Sequence, residues 1–215
     1  MQQTVIAVSS AIGALGVIGV FWQCFWSRSS FRLALESLKS DHERSRREKA
    51  IDLLCHWDST LTDNSAAARK FAESLTSEQS RSLLAQEPFT VDSKHYGLFL
   101  GALPPALTRM RESENEYTDS QIEVSERESS EIRWSVITYL NSLETILSAA
   151  RHNVADKDML YEQFVYLISP EKGHYLLADF RKAAGGAKTY PSIEEFAKEL
   201  KKNAEKAAPG KGPVA

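Results

Sequence analysis

The distribution of apolar and charged positions divides the chain into an uncharged N-terminal segment and a longer part with a mixed pattern. Residues 4–26 contain no Asp, Glu, Lys or Arg, and the first charged side chain is Arg28. At about 1.5 Å per residue, a helix of this length covers the roughly 30 Å hydrocarbon layer of a bilayer. Trp22 and Trp26 lie near its end, where aromatic rings favour the headgroup level. The pattern predicts a transmembrane anchor at residues 1–27.

Two other interpretations of this segment are a cleaved signal peptide and a buried helix of a soluble domain. A signal peptide usually has basic residues before its apolar run and small residues at the cleavage site. Here no basic residue precedes the run, and bulky aromatic residues end it. A buried helix of this length is unusual at a chain terminus. We therefore favour the transmembrane interpretation.

The basic residues near this segment lie on one side of it. Arg28, Arg32 and Lys39 follow the apolar run, whereas residues 1–3 carry no basic side chain. Cytoplasmic flanks of membrane helices are enriched in Lys and Arg. The asymmetry predicts a single-pass protein with its N-terminus outside and its C-terminal part in the cytoplasm.

Small residues within the segment suggest that it associates with another copy. Gly13, Gly16 and Gly19 recur at every third position, and small residues on one face allow two membrane helices to pack closely. The alternative is that glycine is simply common in membrane helices. We predict self-association through these three glycines, with the lipid bilayer and a protein as the partners of the chain.

The remainder of the chain has the spacing of amphipathic helices. Residues 28–57 form a predicted juxtamembrane helix or neck, with a nearly all-polar middle. Residues 58–206 form a predicted soluble α-helical domain, and residues 207–215 a predicted disordered tail. The fold class is thus all-α, one transmembrane helix followed by a soluble helical bundle. No run alternates long enough to predict a sheet.

The strongest helical pattern runs from Glu131 to Arg151, where apolar residues occupy one broad face. The polar residues 111–131 before it are typical of a mobile linker or of an exposed helix entry. Further along, Pro191 with the Ser192-x-x-Glu195 pattern predicts the start of the last helix through a capping box.

Composition excludes several classes of function. The net charge of -3 gives no support for nucleic-acid binding, because such surfaces show a basic excess. The two cysteines and five histidines have no metal-ligand spacing, and no phosphate-binding loop or nucleophile motif is present. We therefore predict no metal, no cofactor and no catalytic residue, although an enzyme with an unrecognised cleft stays an alternative.

Two polar residues on the central helix are candidate contacts for a ligand or a partner. Asn141 and Glu144 lie three positions apart at the border of the apolar face. A half-buried carboxylate beside an amide is able to bind a ligand or a partner backbone. The structural interpretation is that the pair accepts hydrogen bonds from a neighbouring segment and fixes the helix in place.

Three short segments carry a family resemblance, namely residues 139–144, residues 156–158 and residues 190–195. Together with the N-terminal segment, they resemble a family of small bacterial membrane-anchored helical proteins with a domain of unknown function. The resemblance implies one anchor, a long juxtamembrane helix and a compact helical domain in the bacterial inner membrane. It implies no activity and no site residues.

Two functional hypotheses follow, besides the enzyme. The first is a membrane-tethered interaction module whose helical domain binds a protein partner. The second is an effector that senses a small ligand in its soluble domain and acts on the membrane through oligomerised helices, as a stress or phage-defence protein does.

Overall fold

The computed structural model describes the backbone of residues 2–113, 120–169 and 174–207, and most of their side chains. The described chain is mostly helical, which confirms the helical part of the fold prediction. It divides into two compact units, Met1–Arg46 and Arg47–Ala215. The predicted tail at residues 207–215 lies outside the described residues, apart from Ala207 at the end of the last helix.

The first unit contains the beginning of helix α1 (Gln2–Thr60). Large apolar side chains are exposed along it, including Trp22, Trp26 and Phe31. Among the described residues, no helix has both the length and the apolar character that are needed to cross a bilayer. Residues 2–21 are described as backbone only, so the predicted contacts of Gly13, Gly16 and Gly19 lie outside the described side chains.

The second unit contains the end of α1 and the remaining elements. In chain order these are α2 (Asp63–Glu73), α3 (Ser77–Ala85), β1 (Phe89–Asp92), α4 (Tyr96–Ala102), α5 (Pro105–Ser113), β2 (Gln121–Val124), α6 (Glu126–Arg151), α7 (Lys157–Phe164), β3 (Ile168–Ser169), β4 (His174–Tyr175), α8 (Ala178–Ala183) and α9 (Pro191–Ala207). Short 3-10 turns at Ser93–His95, Val165–Leu167 and Gly186–Lys188 connect them.

Helix α6 is the centre of the second unit and begins earlier than its apolar pattern predicted. The Ser125 hydroxyl accepts a hydrogen bond from the Glu128 backbone N–H, while the Glu128 carboxylate accepts one from the Ser125 N–H at 2.9 Å. This capping box satisfies two N–H groups that the first turn leaves without helical partners. Of the two alternatives for residues 111–131, the helix entry therefore fits their C-terminal end and the linker does not, because polar capping residues resemble a linker in composition.

Two short antiparallel sheets accompany the helices of the all-α fold, although no run of the sequence predicted a sheet. β1 pairs with β2, with Phe89 opposite Val124 and Asp92 opposite Gln121, and β3 pairs with β4. Side chains alternate between buried and exposed positions along β1, but only over four residues. A strand this short is below the length at which alternation distinguishes it from a turn. Its partner also lies far along the chain.

The core surrounds α6, which packs against α2, α3, α7 and α9. The end of α1 belongs to this core, because the ring of Trp57 lies 5.1 Å from that of Tyr139 and 5.4 Å from that of Phe164. Helices α2 and α4 approach closely at Gly101, where an added Cβ would lie 3.1 Å from the Cβ of Ala67. The last turns of the predicted neck, which ends at residue 57, thus form part of the second unit, called the compact unit below.

Candidate functional site

Glu144 connects the central helix α6 to the start of α9. Its Oε1 accepts a hydrogen bond from the Ser192 N–H at 2.8 Å, and its Oε2 accepts one from the Ile193 N–H at 2.9 Å. The first N–H groups of a helix lack helical acceptors, and the positive end of the helix dipole favours a carboxylate. Glu144 therefore caps α9 from a helix 48 residues earlier in the chain, which agrees with the structural interpretation given above.

The capping box predicted within α9 does not form. The helix begins at Pro191, as expected for a residue whose missing N–H is not needed there. Ser192 consequently lies inside the first turn, and its N–H donates to Glu144. Glu195 instead pairs with Arg151 of α6 at 3.0 Å. The first turn of α9 is therefore capped by the carboxylate of Glu144 from α6 and not by a side chain of α9 itself.

Asn141 lies apart from this connection. It is exposed, and its backbone carbonyl accepts a hydrogen bond from the Thr145 hydroxyl at 2.9 Å. Seven positions earlier on the same helix face, the side chain of Trp134 is 67% exposed. Asn141 thus shares an exposed surface with Trp134, whereas Glu144 is partly buried and contacts the start of α9. The structure does not bring the two predicted residues, Asn141 and Glu144, into one site.

Arg181 lies beside the Glu144 connection and is almost completely buried, with 3% of its surface exposed. Its Nη1 donates to Oε1 of Glu194 at 2.8 Å, and its Nε donates to the Leu176 carbonyl at 2.8 Å. A longer contact of 3.5 Å joins Nη2 to the Tyr175 carbonyl. The guanidinium is therefore fixed between the β4–α8 segment and the first turn of α9.

The segment that Arg181 holds has an unusual backbone. Leu176 and Leu177 have φ values of 51° and 57°, in the left-handed region that residues with a Cβ seldom occupy. Each costs roughly 1–3 kcal/mol and persists only where the surroundings enforce it. Both side chains are buried, and the carbonyl of Leu176 accepts from Arg181. Burial and this hydrogen bond together explain how the strained conformation is kept.

An open cavity of about 510 Å³ lies against the Arg181–Glu194 pair. Three cationic side chains and one carboxylate line it, together with a wall of small residues: Arg181, Lys182, Lys188, Glu194, Ala178, Gly185, Gly186 and Ala187. The balance of charge in the lining is positive. We call this space, with these residues, the α8–α9 cavity.

Burial and neighbouring charges act on the ionisable groups around the cavity. Burial lowers the pKa of Arg181, and the carboxylates of Glu194 and Glu144 oppose this by favouring the charged form. Burial also raises the pKa of the Tyr190 phenol, with Arg133 acting in the opposite direction and Glu144 in the same one. The carboxylate of Glu144 thus contributes to the electrostatics of the cavity while it caps α9.

A second arginine–glutamate pair lies near the other end of α6. Arg111 donates from Nε and Nη2 to the two carboxylate oxygens of Glu128, at 2.6 and 2.7 Å, and from Nη2 to the Glu123 carbonyl at 2.6 Å. Ser125 donates to the same carboxylate. A smaller cavity of about 240 Å³ adjoins this pair.

The described part of the chain contains no cluster of side chains with the arrangement of a metal site. Among those residues, no group of three His, Cys, Asp or Glu side chains is arranged to hold an ion. The described cysteine, Cys55, is exposed and reduced.

Comparison of this chain with protein-family models, with characterised proteins and with solved structures gave no match. The resemblance of residues 139–144, 156–158 and 190–195 to a membrane-anchored family therefore stays a prediction.

Sequence reasoning did not identify the cavity residues. A glycine pair such as Gly185–Gly186 is typical of the end of a helix and indicates no binding site by itself. A signal was present in Arg181, Lys182 and Lys188, which flank the glycine pair. Glu194, which forms an ion pair with Arg181, is close in sequence, but this pairing depends on how the first turn of α9 is positioned relative to α8.

Proposed function

We propose that the protein is a membrane-tethered interaction module, in which the helix α1 anchors a compact helical domain that binds a protein partner. The observation that carries the proposal is the exposure of large apolar side chains on α1. Trp22, Trp26, Phe31, Leu35 and Leu38 are each at least half exposed. Apolar side chains concentrated along one helix mark a surface that a membrane or another protein covers.

The uncharged sequence before these residues supports the bilayer as the covering medium. Residues 4–26 carry no charge, and Arg28 follows directly. The core of the compact unit, as far as it is described, begins at Ala50. The basic residues that follow the segment favour a cytoplasmic location of the domain.

Membrane extraction tests the tether with a matched pair of variants. The full chain should stay in the membrane pellet after carbonate treatment, and so should Val17→Leu. Val17→Arg should shift a large fraction into the supernatant, because an arginine near the bilayer centre costs about 3 kcal/mol for insertion. Release of all three proteins by carbonate would refute the tether. Alkaline phosphatase fused after Ala215 should be inactive, and strong activity there would reverse the orientation.

The exposed face of α6 is the surface that we assign to the partner. Trp134 is 67% exposed, and Thr138 and Asn141 lie on the same face. Exposed tryptophans surrounded by hydrogen-bonding groups are typical of interface centres. A photo-crosslinking residue at position 134 in the full chain should give one discrete adduct in cells, whereas one at Asp63 should not. Adducts of equal yield from both positions would remove the α6 face from the proposal.

A second candidate function is the ligand-sensing membrane effector, and the α8–α9 cavity is the specific observation in its favour. An effector of this kind depolarises the membrane when it is overproduced, and removal of residues 1–27 abolishes the effect. Overproduction that leaves the membrane potential unchanged would favour the interaction module alone.

A further inference from the structure

We propose that the α8–α9 cavity binds a small free anion with at least two negative charges, a molecule that carries a phosphate group or two or more carboxylates. The inference deepens the second candidate function by giving the class of ligand. It does not depend on that function, because binding is measured without reference to any effect on the membrane. It is also independent of the tether.

The first argument is the charge of the cavity lining. Arg181, Lys182 and Lys188 contribute three positive charges, and Glu194 contributes one negative charge. Among the described residues, neither lysine has an acidic partner, whereas Lys157 elsewhere in the domain contacts Glu199 at 2.8 Å. Two positive charges are therefore left uncompensated beside one cavity, which favours a ligand with at least two negative charges.

The second argument is that the buried cation is already fixed in position. The side chain of Arg181 is 4% exposed and is held by Glu194 and the Leu176 carbonyl, so that an incoming anion does not need to order it. Its third contact, from Nη2 to the Tyr175 carbonyl, is long at 3.5 Å. A donor this weakly satisfied keeps capacity for a stronger acceptor.

The third argument is that the opposite wall permits close approach. Gly185, Gly186 and Ala187 present backbone and at most a methyl group to the cavity. A Cβ placed on Gly186 would meet nothing within 4 Å, so open space lies directly over this residue. The lysine side chains at positions 182 and 188 line the same cavity and are exposed.

Calorimetric titration of the full chain, purified in a non-ionic detergent at low salt, tests the proposal. Pyrophosphate and citrate are the two probes, and they distinguish a phosphate ligand from a carboxylate ligand. At least one should bind saturably with a single site, and its affinity should fall as salt increases, because screening weakens charge pairing. No saturable heat from either probe would overturn the proposal.

Two pairs of variants locate the binding. Ala187→Glu places a carboxylate at the cavity wall and should weaken binding at least about tenfold, whereas the matched Ala187→Gln should bind as the wild type does. Lys182→Gln with Lys188→Gln should also lose about tenfold or more. Lys201→Gln with Lys202→Gln removes two exposed charges from α9, outside the cavity lining, and should lose less than about twofold. Equal losses from both lysine pairs would show only a general attraction to positive charge and would overturn the site.

Discussion

Two arginine–glutamate pairs adjoin cavities in the compact unit, and they differ in how completely the charges are satisfied. Glu128 receives two hydrogen bonds from Arg111 and two from Ser125, so that its carboxylate is saturated. Arg181 makes a single hydrogen bond to Glu194, whose side chain is 35% exposed. The first pair forms part of the N-terminal cap of α6, whereas the second lies beside a cavity that is also lined by two lysines.

The difference separates a structural ion pair from a candidate binding site. A bidentate pair with every oxygen engaged stabilises one arrangement and has little capacity for a ligand. A monodentate pair beside two lysines keeps the capacity to bind an anion. The nearby carboxylate of Glu144 accepts its hydrogen bonds from the start of α9 and not from the lysines. A buried arginine–glutamate pair alone is therefore weak evidence for a binding site. Uncompensated charges beside the pair are the stronger evidence.

Glu128→Gln should have the largest effect on stability. Removing the charge leaves Arg111 without its counter-ion at a partly buried position, where breaking such a pair costs about 3 kcal/mol. Urea unfolding of the full chain in non-ionic detergent measures the free energy of unfolding. Addition of pyrophosphate should not restore the lost free energy of unfolding, because we propose no ligand-binding site at this pair. A loss below about 0.5 kcal/mol would show that the pair is not structural.

The stability difference between wild type and Glu128→Gln should depend on pH. Burial alone would raise the pKa of Glu128, but the hydrogen bonds from Arg111 and Ser125 outweigh it and lower the pKa below the usual 4.5. A lowered pKa contributes stability above the unfolded-state value, and this is lost as pH falls through the folded-state value. The difference should be full at about pH 7 and should shrink in the acid range. A difference that is constant with pH would contradict this account.

Glu194→Gln should have a smaller effect, about 2 kcal/mol, and the loss should respond to ligand. Arg181 is left buried without its main counter-ion, although Glu144 and the Leu176 carbonyl still favour its charge. A bound anion supplies negative charge where the carboxylate was removed, so that saturating pyrophosphate or citrate should recover part of the stability. Equal recovery in Glu128→Gln would remove the distinction between the two pairs.

Glu144→Gln should cost about 1 kcal/mol, because one amide oxygen replaces two carboxylate oxygens at the start of α9. Thr145→Gln, at an exposed position on the same helix, is the control and should change the free energy of unfolding by less than about 0.5 kcal/mol. Similar losses from both would show that the cap contributes nothing specific.

The sequence predicted the features that depend on local pattern. The apolar face predicted between Glu131 and Arg151 includes Leu140 and Leu143, and both are buried. Asp156 is the N-cap of α7, with its side chain accepting from the Met159 N–H at 3.0 Å, as is typical of Asp before a helix. Such features follow from helical spacing and from single capping residues, which are visible along the chain.

Features that depend on distant segments were not predictable in the same way. Glu144 reaches α9 across 48 residues, and a local capping box at Ser192 looked equally suitable in sequence. The start of α6 is a partial exception, because Ser125-x-x-Glu128 is itself a capping box and was missed among polar neighbours. The lining of the α8–α9 cavity lies within residues 178–194, but its shape depends on how the turn after α8 directs the start of α9, which residue spacing does not reveal.

Hydrogen–deuterium exchange of the full chain, with and without a saturating probe anion, compares the two pairs in a single measurement. Peptides that cover residues 178–194 should exchange more slowly when pyrophosphate or citrate is present, because the ligand contacts the wall at Gly185 and Gly186 and holds the end of α8. Peptides that cover residues 105–112 and 121–128 should exchange at the same rate in both conditions. Protection of both regions, or of neither, would contradict the claim that only the Arg181–Glu194 pair forms part of a binding site.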